Sequence, residues 1–180
     1  MRFFVILIII STNLFGQIPQ LKMIDFSSLD NLNNWQIVND GVMGGISKSS
    51  LIINNEGHAH FFGAISLDFN GGFASFRSFN QTFDVENISA ILIHLKGDKK
   101  KYQARIKQNI SDYFSFVKTF ETSGEWEVIK LSLNDFVPSF RGMTLDKSNF
   151  NGKYIEQIGI LIGNKKNEEF KLYIDKITFE

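Results

Sequence analysis

The order of apolar and polar residues predicts a chain built from short strands. Most segments after residue 50 alternate with a period of two, which places successive side chains on opposite faces of a strand. The clearest is KYQARIK, where Tyr102, Ala104 and Ile106 share one face and the polar residues share the other. The 3.6-residue apolar stripe of a helix is missing, and only a short helix is predicted, within FSSLDNLNNW with Asp25 or Ser27 as its cap.

The same alternation predicts the core. Inward positions are expected in HAHFFGAISLDF (Ala59, Phe61, Ile65, Leu67, Phe69), SAILIHL (Ile91, Ile93, Leu95), YFSFVKTF (Phe114, Phe116, Phe120) and QIGILIG (Ile158, Ile160, Ile162). Trp35 and Trp126 lie beside alternating segments, so we expect both to pack in the core rather than to form a sugar-stacking platform with Tyr102 and Tyr113.

Two changes of phase predict irregular strands. In EFKLYIDKITFE the apolar positions shift from Phe170, Leu172 and Ile174 to Ile177 and Phe179. A phase change inside one strand is typical of a β-bulge. A second one is predicted between Trp126 or Val128 and the set Ile129, Leu131 and Leu133.

Turn signals separate the predicted strands. They are Asn54-Asn55-Glu56-Gly57, Asn70-Gly71-Gly72, Gly97-Asp98, Ser123-Gly124 and Asn151-Gly152. Many short strands at this spacing predict an all-β fold, an antiparallel β-sandwich or jelly roll.

Residues 1–16, MRFFVILIIISTNLFG, differ from the rest of the chain. One positive charge at Arg2 precedes an unbroken apolar run from Phe3 to Ile10. This is typical of a secretory signal peptide, and the run is too short for a stable membrane span. We therefore predict that residues 17–180 form a single domain exported to the periplasm or the exterior. An uncleaved N-terminal membrane anchor is the alternative.

Composition narrows the classes of function. The 19 basic and 19 acidic residues of the 180 give no net charge, which argues against binding nucleic acid. The chain has no cysteine, so disulfides, thiolate metal sites and thiol catalysis are excluded.

The stretch NDGVMGGISKSS, residues 39–50, is the main candidate site. Gly41, Gly44 and Gly45 permit positive φ angles and close backbone approach, but a phosphate loop would need another glycine spacing and a following helix.

Asp40 has two interpretations. With Asn39 it could bind sugar hydroxyls or Ca²⁺, or it could hold the turn together, either through its own backbone or by pairing with Arg77. Met43 could contact a partner or fill a gap beneath the loop.

The residues of this stretch also carry a resemblance. W-x-x-V-N-D-G-V-M-G-G-I-S from Trp35, and FFGAISLDFNGGFASFR at residues 61–77, resemble the complex I intermediate-associated protein family, over about residues 24–178. The resemblance implies a galactose-binding-domain-like β-sandwich. In mitochondria the founding member assists assembly of NADH:ubiquinone oxidoreductase, which implies a chaperone-like accessory role with a protein partner.

From these observations we predict a non-enzymatic binding protein of the cell envelope, with a carbohydrate-binding module as the alternative. The predicted binding rim comprises Asn39, Asp40, Met43, Gly44, Gly45, Ser47 and Arg77, and the structural turns comprise Gly41, Gly71 and Gly72. No catalytic constellation and no cofactor are predicted. His58, His60 and His94 are expected on solvent-facing strand positions rather than around a metal.

Overall fold

The computed structural model describes residues 23–27 and 32–180. The predicted signal peptide and residues 28–31 of the predicted short helix fall outside these residues. The described residues form fifteen strands: β1 (Met23–Asp25), β2 (Trp35–Ile37), β3 (Lys48–Ile53), β4 (Ala59–Ile65), β5 (Ala74–Ser78), β6 (Phe83–Asp84), β7 (Ala90–Lys96), β8 (Lys101–Lys107), β9 (Ser115–Glu121), β10 (Trp126–Ser132), β11 (Val137–Phe140), β12 (Met143–Thr144), β13 (Tyr154–Ile155), β14 (Gln157–Ile162) and β15 (Glu168–Phe179). The described helices are single 3₁₀ turns at Asp40–Met43, Asp68–Asn70 and Leu133–Asp135.

The strands form two main antiparallel sheets. The first has the order β10-β7-β15-β4-β3, with β1 also pairing to β15. The second has the order β12-β11-β9-β8-β14-β5-β2, and β13 pairs with β6 in a small separate ribbon. Consecutive strands are often not neighbours, so the sheets are joined by crossovers. This arrangement confirms the predicted antiparallel β-sandwich.

The core lies between the two sheets. Phe61 of β4 in the first sheet contacts Phe76 of β5 in the second, with ring centroids 4.9 Å apart. Trp35 of β2 packs against Phe76 and Phe26 at 5.2 Å each. These inward aromatic rings exclude water from the space between the sheets, which is the main source of stability in a sandwich.

Most predicted inward positions are confirmed. The inward residues of β7, β8 and β14 are buried, and KYQARIK matches β8 residue for residue. The predicted bulge in β15 is also present, because its register with β7 shifts between Ile174 and Lys176.

Two predictions for individual strands are wrong. The second phase change does not occur: β10 pairs with β7 in one continuous register from Trp126 to Ser132. Trp126 and Val128 instead lie on the exposed face, and the Trp126 ring is tilted against the His58 ring, with the ring centroids 4.6 Å apart. In addition, β4 ends at Ile65, so Leu67 and Phe69 do not extend its inward face and are exposed.

Tyr102 links the two sheets by a polar contact. It is buried on β8, and its hydroxyl donates to Oδ1 of Asp98 at 2.9 Å and lies 3.3 Å from the carbonyl oxygen of Lys171 on β15. Burial and the nearby Asp98 carboxylate raise the pKa of the Tyr102 phenol. The hydroxyl therefore stays protonated and acts as a donor.

Candidate functional site

Asp40 is the polar centre of the glycine-rich stretch. Its side chain is fully buried, and Oδ1 accepts the backbone N–H of Ser47 at 3.0 Å. Oδ2 accepts the backbone N–H groups of Gly72 at 2.6 Å and Phe73 at 3.2 Å, together with the Ser47 hydroxyl. One carboxylate thus fastens the loop of residues 40–47 to the loop of residues 66–73.

These contacts decide the ionisation of Asp40. Burial raises the pKa of the carboxyl, but the hydrogen bonds from the Ser47 hydroxyl and from the N–H groups of Gly72, Phe73 and Ser47 outweigh it. The net pKa is lowered from its ordinary value. A carboxylate that accepts several N–H bonds is stabilised in its charged form, so Asp40 is ionised at neutral pH.

Glycine is required where the two loops approach this carboxylate. A Cβ on Gly45 would lie 2.5 Å from the carboxyl carbon of Asp40, and one on Gly71 would lie 2.5 Å from the carbonyl oxygen of Ser66. Gly44 and Gly72 have positive φ angles of 92° and 136°. Gly41 lies in a turn, as predicted, but it has neither a positive φ nor a close neighbour, so this turn does not need a glycine there.

The two fastened loops carry exposed apolar side chains, which we call the apolar crest. The apolar crest consists of Val42, Met43, Ile46, Leu67 and Phe69, each more than two-fifths exposed. Phe69 is 70% exposed and has a left-handed φ of 54°, a conformation that costs energy in a bulky residue. Apolar side chains grouped on one surface are typical of an interaction site.

A groove lies on the outer face of the second sheet, next to the apolar crest. Its volume is about 670 Å³. Outward residues of β5, β8, β9, β11 and β14 form its floor, Met43 and Gly72 border the side beside β5, and Phe140 and Arg141 border the opposite side. We call it the basic groove, because its charged lining residues are Arg77, Arg105, Lys107 and Arg141.

The basic groove combines cations with aromatic and amide groups. Tyr113 is exposed, and its ring lies edge-on to Phe140 at 5.3 Å, while Arg141 covers Phe140 at 5.2 Å. Gln103, Ser115 and Ser139 add neutral donors and acceptors. Among the described residues, no carboxylate and no imidazole lines the groove.

The predicted rim residues separate into two groups. Asp40 and Ser47 are buried, and Asn39 accepts a hydrogen bond from the Ser49 hydroxyl at 2.7 Å. Met43 and Arg77 line the basic groove. Gly44 and Gly45 lie in the loop between Met43 and Ser47. The carboxylate of Asp40 therefore has no exposed surface to offer a ligand.

The predicted pair between Asp40 and Arg77 is wrong. Among the described residues, the donors to the Asp40 carboxylate belong to Ser47, Gly72 and Phe73. Arg77 forms no ion pair with a described residue. The reason is topological: Arg77 points outward from β5 into the basic groove, whereas Asp40 is covered by the loops beside the core.

The four aromatic residues of the alternative sugar-stacking platform do not lie together. Trp35 and Tyr102 are buried, Trp126 is exposed on the first sheet, and Tyr113 lies in the basic groove. The three histidines do not converge either. His60 stacks on Tyr173 at 4.3 Å, and no group of three or more metal-binding side chains occurs within residues 23–27 and 32–180.

The basic groove was not predicted from the sequence, although the sequence contains one indication of it. The sequence KYQARIK shows a polar face, and Gln103, Arg105 and Lys107 of that face line the groove. Their neighbours Tyr113, Phe140 and Arg141 come from distant segments. Only the pairing of β8 with β9, and of β9 with β11, brings these segments together.

Comparison with known proteins identifies the family. A family model described as complex I intermediate-associated protein 30 matches residues 24–174, which is most of the chain and includes both loops fastened by Asp40. No curated protein sequence matches the chain. Within the described residues, no helix has the length and apolar character needed to cross a membrane.

Solved structures are similar in fold. The family 11 carbohydrate-binding module of the cellulosomal cellulase Lic26A-Cel5E of Clostridium thermocellum aligns with a TM-score of 0.63 at 14% identity, covering 87% of this chain and 92% of that one. The Clostridium thermocellum family 11 module in complex with a β-1,3-1,4-mixed-linked tetrasaccharide aligns with a TM-score of 0.60 at 13% identity, covering 87% and 94%. A variant of a family 29 carbohydrate-binding module aligns at 0.51 and 12%, covering 87% and 83%. At these identities the likeness concerns the fold alone.

Proposed function

The chain belongs to the complex I intermediate-associated protein 30 family, and from that premise we propose that it is a non-enzymatic accessory protein that binds a protein partner through the apolar crest. The observation that carries this proposal is the fastening of two loops by one buried carboxylate, beneath five exposed apolar side chains. A rigid loop pays little ordering entropy on binding, so exposed apolar area on it contributes efficiently to affinity.

The non-enzymatic part of the proposal rests on the chemistry of the basic groove. The side chains that line the basic groove, among the described residues, are cations, amides, hydroxyls, aromatic rings and the apolar Met43 and Leu161. General acid–base and nucleophilic catalysis usually need a carboxylate or an imidazole at the reacting atoms. The groove is suited to holding a ligand.

Export to the cell envelope is the second part of the proposal. It is supported by the charge and the apolar run of residues 1–16. The test is mass spectrometry of the N-terminus of the protein isolated from its own cells. We expect a chain that begins at Gln17. A full-length chain found in the membrane fraction would favour the anchored alternative.

Photo-crosslinking tests the partner proposal. A photoreactive residue replaces Met43 in the apolar crest, and a matched control replaces Ile52, which is similarly exposed but lies on β3 of the first sheet. We expect a defined cross-linked protein from position 43 that disappears when Phe69→Ser is added. Cross-links of equal yield from both positions, or only from position 52, would contradict the proposal.

A second candidate function is carbohydrate binding in the basic groove. It is favoured by the exposed ring of Tyr113, which lies beside the hydroxyl groups of Ser115 and Ser139, and by the modules similar in fold. Aromatic faces with neighbouring polar groups are suited to sugar rings. Calorimetry with a panel of oligosaccharides tests it, and binding should weaken in Tyr113→Ala. Failure of every sugar to bind would exclude it.

A further inference from the structure

Three cations of the basic groove lie together on adjacent strands. In the register of the second sheet, Gly159 on β14 stands opposite Arg77 on one side and Arg105 on the other. Because Gly159 has no side chain, both arginine side chains border the same gap, and a Cβ there would lie 3.0 Å from Cγ of Arg77. Lys107 occupies the next outward position on β8.

These cations have few partners in the protein. Arg105 donates to Oε1 of Gln103 at 3.2 Å, and Lys107 donates to the carbonyl oxygens of Ile110 at 3.1 Å and Asp112 at 2.5 Å. Nε of Arg77 is buried and has no hydrogen-bond partner. Among the described residues, none of the three forms an ion pair with a carboxylate within 4.0 Å. An unpaired buried donor and unneutralised charges are costly, so their presence calls for a ligand.

The electrostatics of the cluster agree with this geometry. Burial, followed by the charge of Arg77, lowers the pKa of Arg105 to about 10. Burial and then Arg77 also lower the pKa of Lys107, and the charge of Asp112 partly opposes this. All three groups remain charged at neutral pH, and their mutual repulsion persists in the free protein. A bound anion would relieve that repulsion.

The rest of the basic groove indicates the size and type of the anion. A volume of about 670 Å³ is far larger than one inorganic ion needs. The face of Tyr113 and the hydroxyls of Ser115 and Ser139 lie beside the cations, in the same groove. Sugar rings bind to aromatic faces and to polar side chains of this kind.

We propose that the basic groove binds an acidic oligosaccharide, with a uronate carboxylate held by Arg77 and Arg105 and an adjoining sugar ring against Tyr113. Planar guanidinium groups match carboxylate geometry, which is why two arginines suit this ligand. This inference rests on the second candidate function, carbohydrate binding, and adds the charge of the ligand to it. It does not depend on the apolar crest.

Calorimetry with matched ligands tests the proposal. The ligands are oligomers of galacturonate, mannuronate and glucuronate, the methyl esters of the same oligomers, and inorganic sulfate, all at low ionic strength. We expect at least one acidic oligomer to bind, and its methyl ester to bind at least about tenfold more weakly, because the ester removes the charge and keeps the sugar. Sulfate alone should bind far more weakly than the oligomer.

Substitutions of Arg77 and Arg105 test whether these two cations bind the acidic oligosaccharide. Arg105→Gln and Arg77→Gln should each weaken binding at least about tenfold, and Arg105→Lys should retain part of it. Lys48→Gln makes the same change of charge on β3 of the first sheet and should leave binding unchanged. Melting temperature checks the fold of each variant. If one glutamine variant does not fold, the other glutamine variant and Arg105→Lys supply the comparison.

Each contrary outcome has a distinct meaning. Equal binding of an acid and its ester would overturn this inference and leave carbohydrate binding intact. Sulfate binding as tightly as the oligomer would assign the cations to a small anion and overturn the saccharide part. If no acidic or esterified oligomer binds, this inference fails, and the carbohydrate function fails with it only when the oligosaccharides of the earlier panel do not bind either.

Discussion

The carboxylate of Asp40 accepts the backbone N–H of Gly72 at 2.6 Å, across 32 residues of sequence. This contact makes two loops into one surface. Without it, the N–H groups of Gly72 and Phe73 would have no carboxylate to satisfy them, and the loop of residues 40–47 would lose its fixed position over the sheet. The shape of the apolar crest therefore depends on a residue that is itself hidden from any partner.

Replacement of Asp40 tests the strength of this fastening. Asp40→Asn keeps the size of the side chain but turns one acceptor into a donor that faces other donors, Ser47 and Gly72. We expect the free energy of unfolding to fall by about 1–3 kcal/mol at neutral pH. Urea denaturation followed by fluorescence measures it. An unchanged midpoint would contradict the assignment of these hydrogen bonds.

The effect of that substitution should depend on pH. The folded pKa of Asp40 lies below its ordinary value of 3.8, so the folded protein binds this proton less readily than the unfolded chain. The stabilisation is complete above the unfolded pKa of about 3.9 and is lost as the pH falls through the lower folded pKa. The difference between wild type and Asp40→Asn should thus be constant from pH 7 to about pH 5 and shrink below pH 4.

Two glycines of one loop provide a matched comparison. Gly45→Ala places a Cβ 2.5 Å from the Asp40 carboxyl carbon, whereas Gly41→Ala meets nothing within 4 Å. We expect Gly45→Ala to lower the free energy of unfolding by about 1–3 kcal/mol through overpacking. Gly41→Ala should be neutral or stabilising by up to about 1 kcal/mol, because alanine restricts the unfolded chain. Equal effects in thermal denaturation would refute this account of the loop.

The two tryptophans should differ sharply in stability and in fluorescence. Trp35 is buried against Phe26 and Phe76, so Trp35→Ala should cost about 3–5 kcal/mol. Trp126 is 46% exposed, so Trp126→Ala should cost less than about 1 kcal/mol. The emission of Trp126 should also be the one quenched by iodide. Comparable destabilisation by both substitutions would mean that Trp126 lies in the core.

The contact between Tyr102 and Asp98 predicts a smaller effect. Tyr102→Phe removes the hydroxyl that donates to Asp98 and reaches the backbone of Lys171 on the other sheet. We expect a loss of about 1 kcal/mol in the free energy of unfolding, since Asp98 keeps its bonds from Lys100 and from the N–H of Lys171. A gain in stability would show that the hydroxyl is not satisfied in the folded protein.

Much of the fold was predictable because burial and strand periodicity coincide. On β8 every second side chain faces the core, so KYQARIK reveals both the strand and its buried face. The bulge in β15 was predictable for the same reason, since the apolar positions change phase where the register shifts. The same pattern gave wrong predictions at Trp126 and Val128, because an alternating pattern does not distinguish apolar residues on an exposed strand face from buried ones.

The candidate site was less accessible to sequence reasoning. The composition of NDGVMGGISKSS marked Asp40 as unusual, but its true partners Gly72 and Phe73 contribute backbone N–H groups, which no side-chain pattern reveals. A pair between Arg77 and Asp40 is one of the interpretations that the sequence allows, because both residues lie in conspicuous segments. The structure places Arg77 on the outer face of β5 beside Arg105. The two residues are close because β14 pairs with β5 on one side and with β8 on the other.

The most direct test of the central claim is an NMR titration of the Asp40 carboxyl carbon, followed together with the amide proton of Gly72. The account predicts that the carbon signal titrates with a midpoint below the ordinary pKa of 3.8, and that the Gly72 amide shift changes with the same midpoint, because both report the same hydrogen bond. The contrary result is an Asp40 carboxyl that titrates at or above its ordinary pKa while the chemical shift of the Gly72 amide does not change. That result would contradict the claim that this buried carboxylate holds the two loops together.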